Sequence, residues 1–340
     1  MNRTLLLVLL FLVLGGIAWY ALSNKKKQTN SHVSWDMDFA VKNTEEIGKI
    51  FIADRKGNTS TFERKNKTWY YNDKFPASPS AMGILLETIS KVNVLNIPPN
   101  SAVPLMIKEL AADGIKVEIY DRAGKALKTY YVGGVTVDER GTILMMDGAE
   151  QPYVVHLPGF VGQIRMRFQL IEDEWRDKAI FQEKPEEIQS VSVEYPQRKN
   201  ESFRLEKTGA ALYDVQPFFS TTAKMTSPRR KGVVEAYLLQ FDRLVAEAFE
   251  TQNPLRDSVK ALVPFAIVTV KKTDGAEKKV RFWPVEIETR ADNGMPFVSR
   301  YFTDVDNKDF MLTQDRVFGI LFRGYEFFYE GIPEKNRLRN

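Results

Sequence analysis

The sequence predicts an α+β protein: an N-terminal transmembrane helix followed by two tandem repeat units of mainly antiparallel sheet with packed helices. Three observations carry that expectation. An uncharged, mostly apolar run spans Leu5 to Leu22. Short period-two segments bounded by glycine turns alternate with segments whose apolar residues recur every three or four positions. The same succession then starts again about halfway along the chain, as it does in proteins built from internal repeats. The expected layout is an anchor over 1–23, a polar tether over 24–45, a first unit over 46–182 and a second, divergent unit over 183–332.

As a helix, Leu5 to Leu22 would be about 27 Å long, near the minimum for crossing a bilayer. Leu5, Leu9 and Leu12 would face lipid, and Trp19 and Tyr20 stand where an interfacial aromatic belt would lie. A cleaved signal peptide processed at Ala21-Leu22-Ser23 is the competing reading. Against it, the apolar run exceeds a usual signal core and Lys25, Lys26 and Lys27 follow at once.

In the first unit, KIFIAD (Lys49 to Asp54) and TSTFERK alternate around a turn at Gly57-Asn58, and KTWYYND adds a short aromatic strand. SPSAMGILLETISKV switches to helical spacing, with Met82, Leu85, Leu86, Ile89 and Val92 on one face and Ser78 or Ser80 as N-cap. PLMIKELAA is a second helix closed near Gly114. Hairpins with turns at Ala123-Gly124 and Asp147-Gly148 follow, and PGFVGQIRMRFQLIEDEW closes the block.

The second unit repeats this course. EEIQSVSVEY matches EEIGKIFIAD, and KGVVEAYLLQFDRLVAEAF, spanning Lys231 to Phe249, takes the place of the first helix with Val234, Tyr237, Leu238, Phe241 and Leu244 on its apolar face. Asp274-Gly275 answers Ala123-Gly124. DFMLTQDRVFGIL lies over PYVVHLPGFVGQI with Gly319 on Gly162, which aligns His156 with Thr313.

Composition excludes several function classes. With 44% apolar residues in 340, the chain can bury a core in each unit and is not disordered overall. It has no cysteine, hence no disulfide, thiol nucleophile, iron–sulfur cluster, cysteine zinc site or lipoprotein anchor. Four of its 48 basic residues, Arg3 and Lys25 to Lys27, precede the first acidic residue, Asp36, leaving 44 basic against 44 acidic in the remainder. The body is neutral, which removes the electrostatic case for a nucleic-acid partner.

Candidate chemistry is sparse. His156 has no second histidine or cysteine near it in sequence and reads as a structural residue of a strand. DVDNKD, Asp304 to Asp309, resembles the start of a calcium loop, but lysine in the fifth place and the missing glycine favour a hairpin turn. The acidic run Glu172, Asp173, Glu174 reads as exposed, and Trp69, Tyr70, Tyr71, Phe218, Phe219, Phe282 and Trp283 as core aromatics of half-buried strands. One tract stands out: Arg229, Arg230 and Lys231 place three cations where a helix begins, opposing its dipole. That makes them the candidate binding residues, for an acidic partner or phospholipid headgroups. No catalytic residue, metal ligand or cofactor is expected.

The sequence resembles the bacterial family DUF4340, a domain of unknown function. IGKIFIADRKGNTSTFERKNKTWYYND, SAMGILLETISKVNVL, KVEIYDRAGKALKTYYVGG, YVVHLPGFVGQI and WRDKAIF carry the likeness, over most of Glu46 to Phe181 and more weakly the second copy, which departs at Trp69 and at Gly133-Gly134. The resemblance implies a single-pass bacterial inner-membrane protein with a periplasmic body, a non-enzymatic accessory to a membrane complex such as an ABC-type export or gliding-motility system. It transfers no active-site residue. The alternative is an envelope polysaccharide-binding protein or hydrolase using a cleft between the two units.

Overall fold

The period-two segments of the first half pair into one antiparallel sheet. The computed structural model describes residues 34–331 except 170, 211, 290–293 and 295, and the chain divides into two units, Met1–Arg176 and Asp177–Asn340.

In the first unit the elements run β1 (Ile47–Ala53), β2 (Thr59–Lys65), β3 (Thr68–Tyr71), β4 (Phe75–Pro76), α1 (Pro79–Lys91), β5 (Asn93–Asn96), α2 (Val103–Asp113), β6 (Ile115–Asp121), β7 (Ala126–Val135), β8 (Thr142–Met146), β9 (Tyr153–His156) and a single turn, α3 (Glu172–Trp175). Among the described residues the sheet order is β4-β3-β2-β1-β6-β7-β8-β9-β5. Ile47, Ile50 and Ile52 project from β1 into the core with Phe62, Val117 and Ile119. The apolar stripe of α1 covers them, Leu85 and Ile89 being fully buried. Ser78 caps this helix, its side chain accepting from the Ala81 amide at 3.4 Å. Phe39, Ala40 and Val41 also enter the core, so the polar tether expected over 24–45 ends before them.

In the second unit the elements are β10 (Ala179–Phe181), β11 (Ile188–Glu194), β12 (Phe203–Lys207), β13 (Tyr213–Pro217), α4 (Val233–Leu238), β14 (Leu244–Val245), β15 (Ala248–Phe249), α5 (Arg256–Lys260), β16 (Ala266–Lys272), β17 (Glu277–Thr289), β18 (Pro296–Val305), β19 (Asp309–Gln314) and α6 (Asp315–Phe318). Its large sheet has the order β13-β12-β11-β16-β17-β18-β19-β15. Matching strands one by one, this is the first sheet's order without its β4. The likeness extends to irregularities: the β1–β6 register slips between Ile47 and Lys49, and the β11–β16 register between Ile188 and Ser190.

Three tertiary details recur as well. The Val41 amide donates to the Ile89 carbonyl at 3.1 Å, and the Glu183 amide to that of Phe241 at 2.8 Å. Trp175 meets Phe62 edge-on at 4.6 Å, as Phe328 meets Phe203 at 4.8 Å. The Ser78 amide donates to the Trp175 carbonyl at 2.7 Å, and that of Arg230 to the Phe328 carbonyl at 2.9 Å. Each unit is thus shut by an aromatic residue seated on its second strand and tied by a backbone hydrogen bond to the chain just ahead of its helix.

The α+β expectation with a transmembrane helix is corrected. Among the described residues antiparallel strands dominate, helices are few, and none is long and apolar enough to cross a membrane. Leu5 to Leu22, including Leu5, Leu9, Leu12, Trp19 and Tyr20, lies outside the described residues, as does His32. The helix expected over Lys231 to Phe249 is also cut short. After Phe241 the backbone turns outward to other strands: the amides of Ala246, Glu247 and Glu250 donate to the carbonyls of Lys178, Leu312 and Phe310. Those bonds satisfy the same groups that a longer helix would have paired internally, so propensity yields to the sheet.

Candidate functional site

Shared backbone geometry with different side chains identifies the site. Ala77 forms an isolated bridge with Arg176 in the first unit, and Arg229 one with Tyr329 in the second. With the Ser78 and Arg230 hydrogen bonds above, this aligns Ala77-Ser78-Pro79-Ser80 with Arg229-Arg230-Lys231-Gly232. The closing segment fixes the backbone at both places. Only the second unit carries three cations there.

The tract does not act as one cluster. Arg229 turns to β13, its Nη1 donating to the Tyr213 carbonyl at 2.8 Å and lying 3.6 Å from Asp214. Arg230 donates from Nη1 to the Phe327 carbonyl at 3.1 Å, with its guanidinium 5.2 Å from the Phe327 ring centre. Lys231 lines a pocket of ≈340 Å³, near the lower end of small-ligand site volumes. Gly232 follows with φ +73, a left-handed turn that glycine adopts without strain and that starts α4 directly.

The closing segment also walls the pocket, contributing Ile320, Arg323 and Phe327. Helix α4 and the 3₁₀ turn after it present Val233, Ala236, Tyr237 and Gln240. The Arg323 guanidinium lies 4.7 Å from the Phe327 ring centre. The Tyr237 hydroxyl donates to the Leu321 carbonyl at 2.9 Å. Burial pushes its phenol well above the ordinary value, with the Arg323 guanidinium pulling the other way, so it remains neutral and serves as wall. Among the described lining residues both ionic groups are cations, beside an apolar surface. Such a pocket can hold an anionic group that carries an apolar neighbour. It brings together no acid–base pair that could drive a reaction.

Sequence reading found Lys231 but missed Arg323, Phe327 and Gln240. Arg323 and Phe327 come from the end of the chain, and no local spacing signals that the closing segment returns to the start of α4. The internal repeat was the available clue, because the first unit's closing segment ends at Trp175, the counterpart of Phe328 beside Phe327.

The remaining candidates resolve into structural roles. His156 ends β9, half-buried, opposite Asn93 of the edge strand β5. The alignment with Thr313 shifts by one residue. Followed across the sheets, the pairing of Leu144 with Tyr153 answers that of Thr303 with Met311, and Thr142 with Val155 answers Tyr301 with Thr313, which sets His156 against Gln314. A one-residue slip exchanges the two faces of a strand; Thr313 faces inward, its hydroxyl 2.7 Å from that of Thr303. Asp306 and Asn307, both with positive φ, make the turn between β18 and β19. Asp304 is 1% exposed and is held by Lys260 at 2.6 Å and Arg281 at 2.8 Å. Glu172 and Glu174 are exposed on α3. Trp69, Tyr71, Phe282 and Trp283 are buried, and Phe218 and Phe219 pack edge-on at 5.0 Å. Among the described residues no group of three or more His, Asp or Glu side chains is placed to hold a metal ion.

Gly133 also has a structural cause. The β7–β8 register slips between Val132 and Val135, and the buried Arg165 fills the slip, donating to the carbonyls of Val132 at 3.0 Å, Gly133 at 2.9 Å and Asp113 at 2.7 Å. A Cβ on Gly133 would come within 2.8 Å of the Leu110 side chain on α2.

Residues 69–259, more than half of the chain, match the model of the family described as Domain of unknown function (DUF4340). The match starts in β3 and ends in α5, so it spans parts of both units and includes Arg229, Arg230, Lys231 and α4. No curated protein and no solved structure matches the chain.

Proposed function

Given that the chain belongs to the DUF4340 family, we propose that it is a non-enzymatic interaction module of the bacterial cell envelope. In this reading it is an accessory of a membrane complex such as an ABC-type export or gliding-motility system, placed at the inner membrane with its body on the periplasmic side. The observation that supports the reading is the pocket beside α4. There a backbone frame present in both units carries Lys231 and Arg323 around an apolar wall in the second. This is binding chemistry: fixed positive charge steers an acidic partner and sets its register.

Affinity purification with crosslinking from membranes tests it, comparing the natural chain with Lys231→Glu. The expected result is recovery of a membrane-complex subunit with the natural chain and its loss with the variant. Recovery of no envelope protein, equal recovery by both, or hydrolysis of envelope polysaccharide by the purified chain would overturn it.

A further inference from the structure

The two large sheets differ at one edge. Followed along the cross-strand pairs, Arg204 of β12 stands at the place of Thr61, and Gln216 of β13 at that of Asn72. In the first unit Asn72 and Asp73, both with positive φ, turn the chain back, and β4 then lines β3. In the second unit the chain runs on and side chains close the edge. The Val215 amide donates to the Asp214 carboxylate at 3.0 Å, the Val215 carbonyl accepts from the Tyr329 hydroxyl at 3.2 Å, and the Tyr213 carbonyl accepts from Arg229 at 2.8 Å. Pro217 has no amide hydrogen to offer. An edge satisfied in this way needs no further strand, so the segment after Pro217 is released from the sheet.

That segment folds over the 3₁₀ turn Lys199–Glu201. The Phe218 amide donates to the Ser202 carbonyl at 3.0 Å, and the Thr222 hydroxyl donates to Asn200 Oδ1 at 3.4 Å. Two half-buried phenyl rings come to lie between two exposed cations. Phe218 and Phe219 meet edge-on at 5.0 Å, the Arg204 guanidinium lies 5.6 Å from the Phe218 ring centre, and the Lys199 ammonium 5.4 Å from that of Phe219. Lys224, also exposed, follows two residues after Thr222. The sequence has no Asp or Glu from Val215 to Val234. Among the described residues no acid lies within ion-pair distance of Lys199, Arg204 or Lys224, and the nearby Glu201 is held by Arg198 at 3.0 Å. The first unit instead neutralises the cations of β2, pairing Arg64 with Glu45 and Lys65 with Asp73. Exposed, uncompensated cations set on an apolar base match a surface that carries many anions. Building on the inner-membrane placement above, on which this rests, we propose that this edge of the second unit docks on an anionic phospholipid bilayer. Lys199, Arg204 and Lys224 meet the headgroup phosphates, and Phe218 and Phe219 hold the first two cations in position.

Sedimentation of the full chain with vesicles tests this, comparing phosphatidylcholine alone with an equimolar mixture of phosphatidylcholine and phosphatidylglycerol. Binding should be stronger on the anionic vesicles. Lys199→Gln and Arg204→Gln, both exposed changes, should each weaken it there about fivefold and leave binding to phosphatidylcholine unchanged. Lys108→Gln, which removes an exposed cation of α2 in the first unit, should change nothing. Because the chain has no cysteine, an environment-sensitive fluorophore on Thr221→Cys reads contact at this edge whatever else holds the chain on a vesicle. Its emission should shift to the blue on anionic vesicles only, and the double substitution Lys199→Gln with Arg204→Gln should abolish the shift. No shift, a shift that survives the double substitution, or an equal loss of binding with Lys108→Gln overturns the proposal. Capture of a protein partner that depends on Arg204, without binding to anionic vesicles, overturns it in favour of an acidic polypeptide. Loss of the vesicle result with Lys231-dependent capture intact sinks this inference and leaves the interaction module standing. Binding at this edge with no envelope partner recovered does the reverse.

Discussion

The two units share a sheet and differ in what covers it. The first unit's helix α1 runs for 13 residues, is capped by Ser78, and carries on its outer face Glu87, which pairs with Lys91 at 2.8 Å and Arg167 at 3.5 Å. The second unit keeps the strand order, the slip after the first core residue and the closing aromatic contact. Its helix has shrunk to α4 and one 3₁₀ turn, opened by a glycine, with cations ahead of it. A sheet core tolerates little change because every inward residue touches many others. The helix margin faces solvent and is free to vary. The comparison therefore locates the divergence between the units in the cover of the second.

The largest effect should come from the shared clamp. Trp175→Ala removes a side chain 1% exposed and seated on Phe62, and Phe328→Ala removes a fully buried one seated on Phe203. Each should cost about 3–5 kcal/mol. Hydrogen exchange should show the loss confined to strands of the unit that carries the substitution. A loss spread evenly over both sheets would break the view that each clamp serves its own core.

A smaller loss, about 2–3 kcal/mol, is expected from Arg165→Met, because the methionine leaves the buried carbonyls of Val132 and Gly133 without their donor. Urea denaturation measures it. An unchanged midpoint would mean that the strand slip in β7 does not need the arginine.

The smallest effect is one of pH. In the second unit the Glu183 side chain, 7% exposed, lies 2.9 Å from Lys278 and 3.4 Å from Lys272. Burial raises its carboxyl, but the two lysines outweigh that and hold it below the ordinary value of 4.5. Since the folded value is the lower one, this contribution is present in full above pH 4.5 and is lost as pH falls through the folded value. Acid unfolding of Glu183→Gln should therefore show a shallower loss of stability below pH 4.5 than the natural chain. Parallel acid profiles would assign the second unit's acid sensitivity to other groups.

Much of the sheet was legible in the sequence because a strand writes its buried face into every second residue. Ile50 and Ile52, and Val191 and Val193, keep that spacing and are all buried. The inward face of α1 was legible for the same reason at helical spacing. The site was legible only in part. Lys231 could be named because a cation ahead of a helix is locally unusual, whereas Arg323 has nothing unusual beside it in sequence. The alignment of His156 with Thr313 erred by one residue because a glycine was taken to fix the register, when cross-strand pairing fixes it.

By itself the sequence determined the hydrophobic periods, the turns, the neutrality of the body and the recurrence of the strand pattern, since each of these is a property of near neighbours along the chain. Tertiary structure alone decided where the helix after Lys231 stops, which of three adjacent cations lines a pocket, and what Arg323 faces. Those outcomes depend on backbone hydrogen bonds and side-chain contacts between segments far apart in sequence, and local composition carries no record of them.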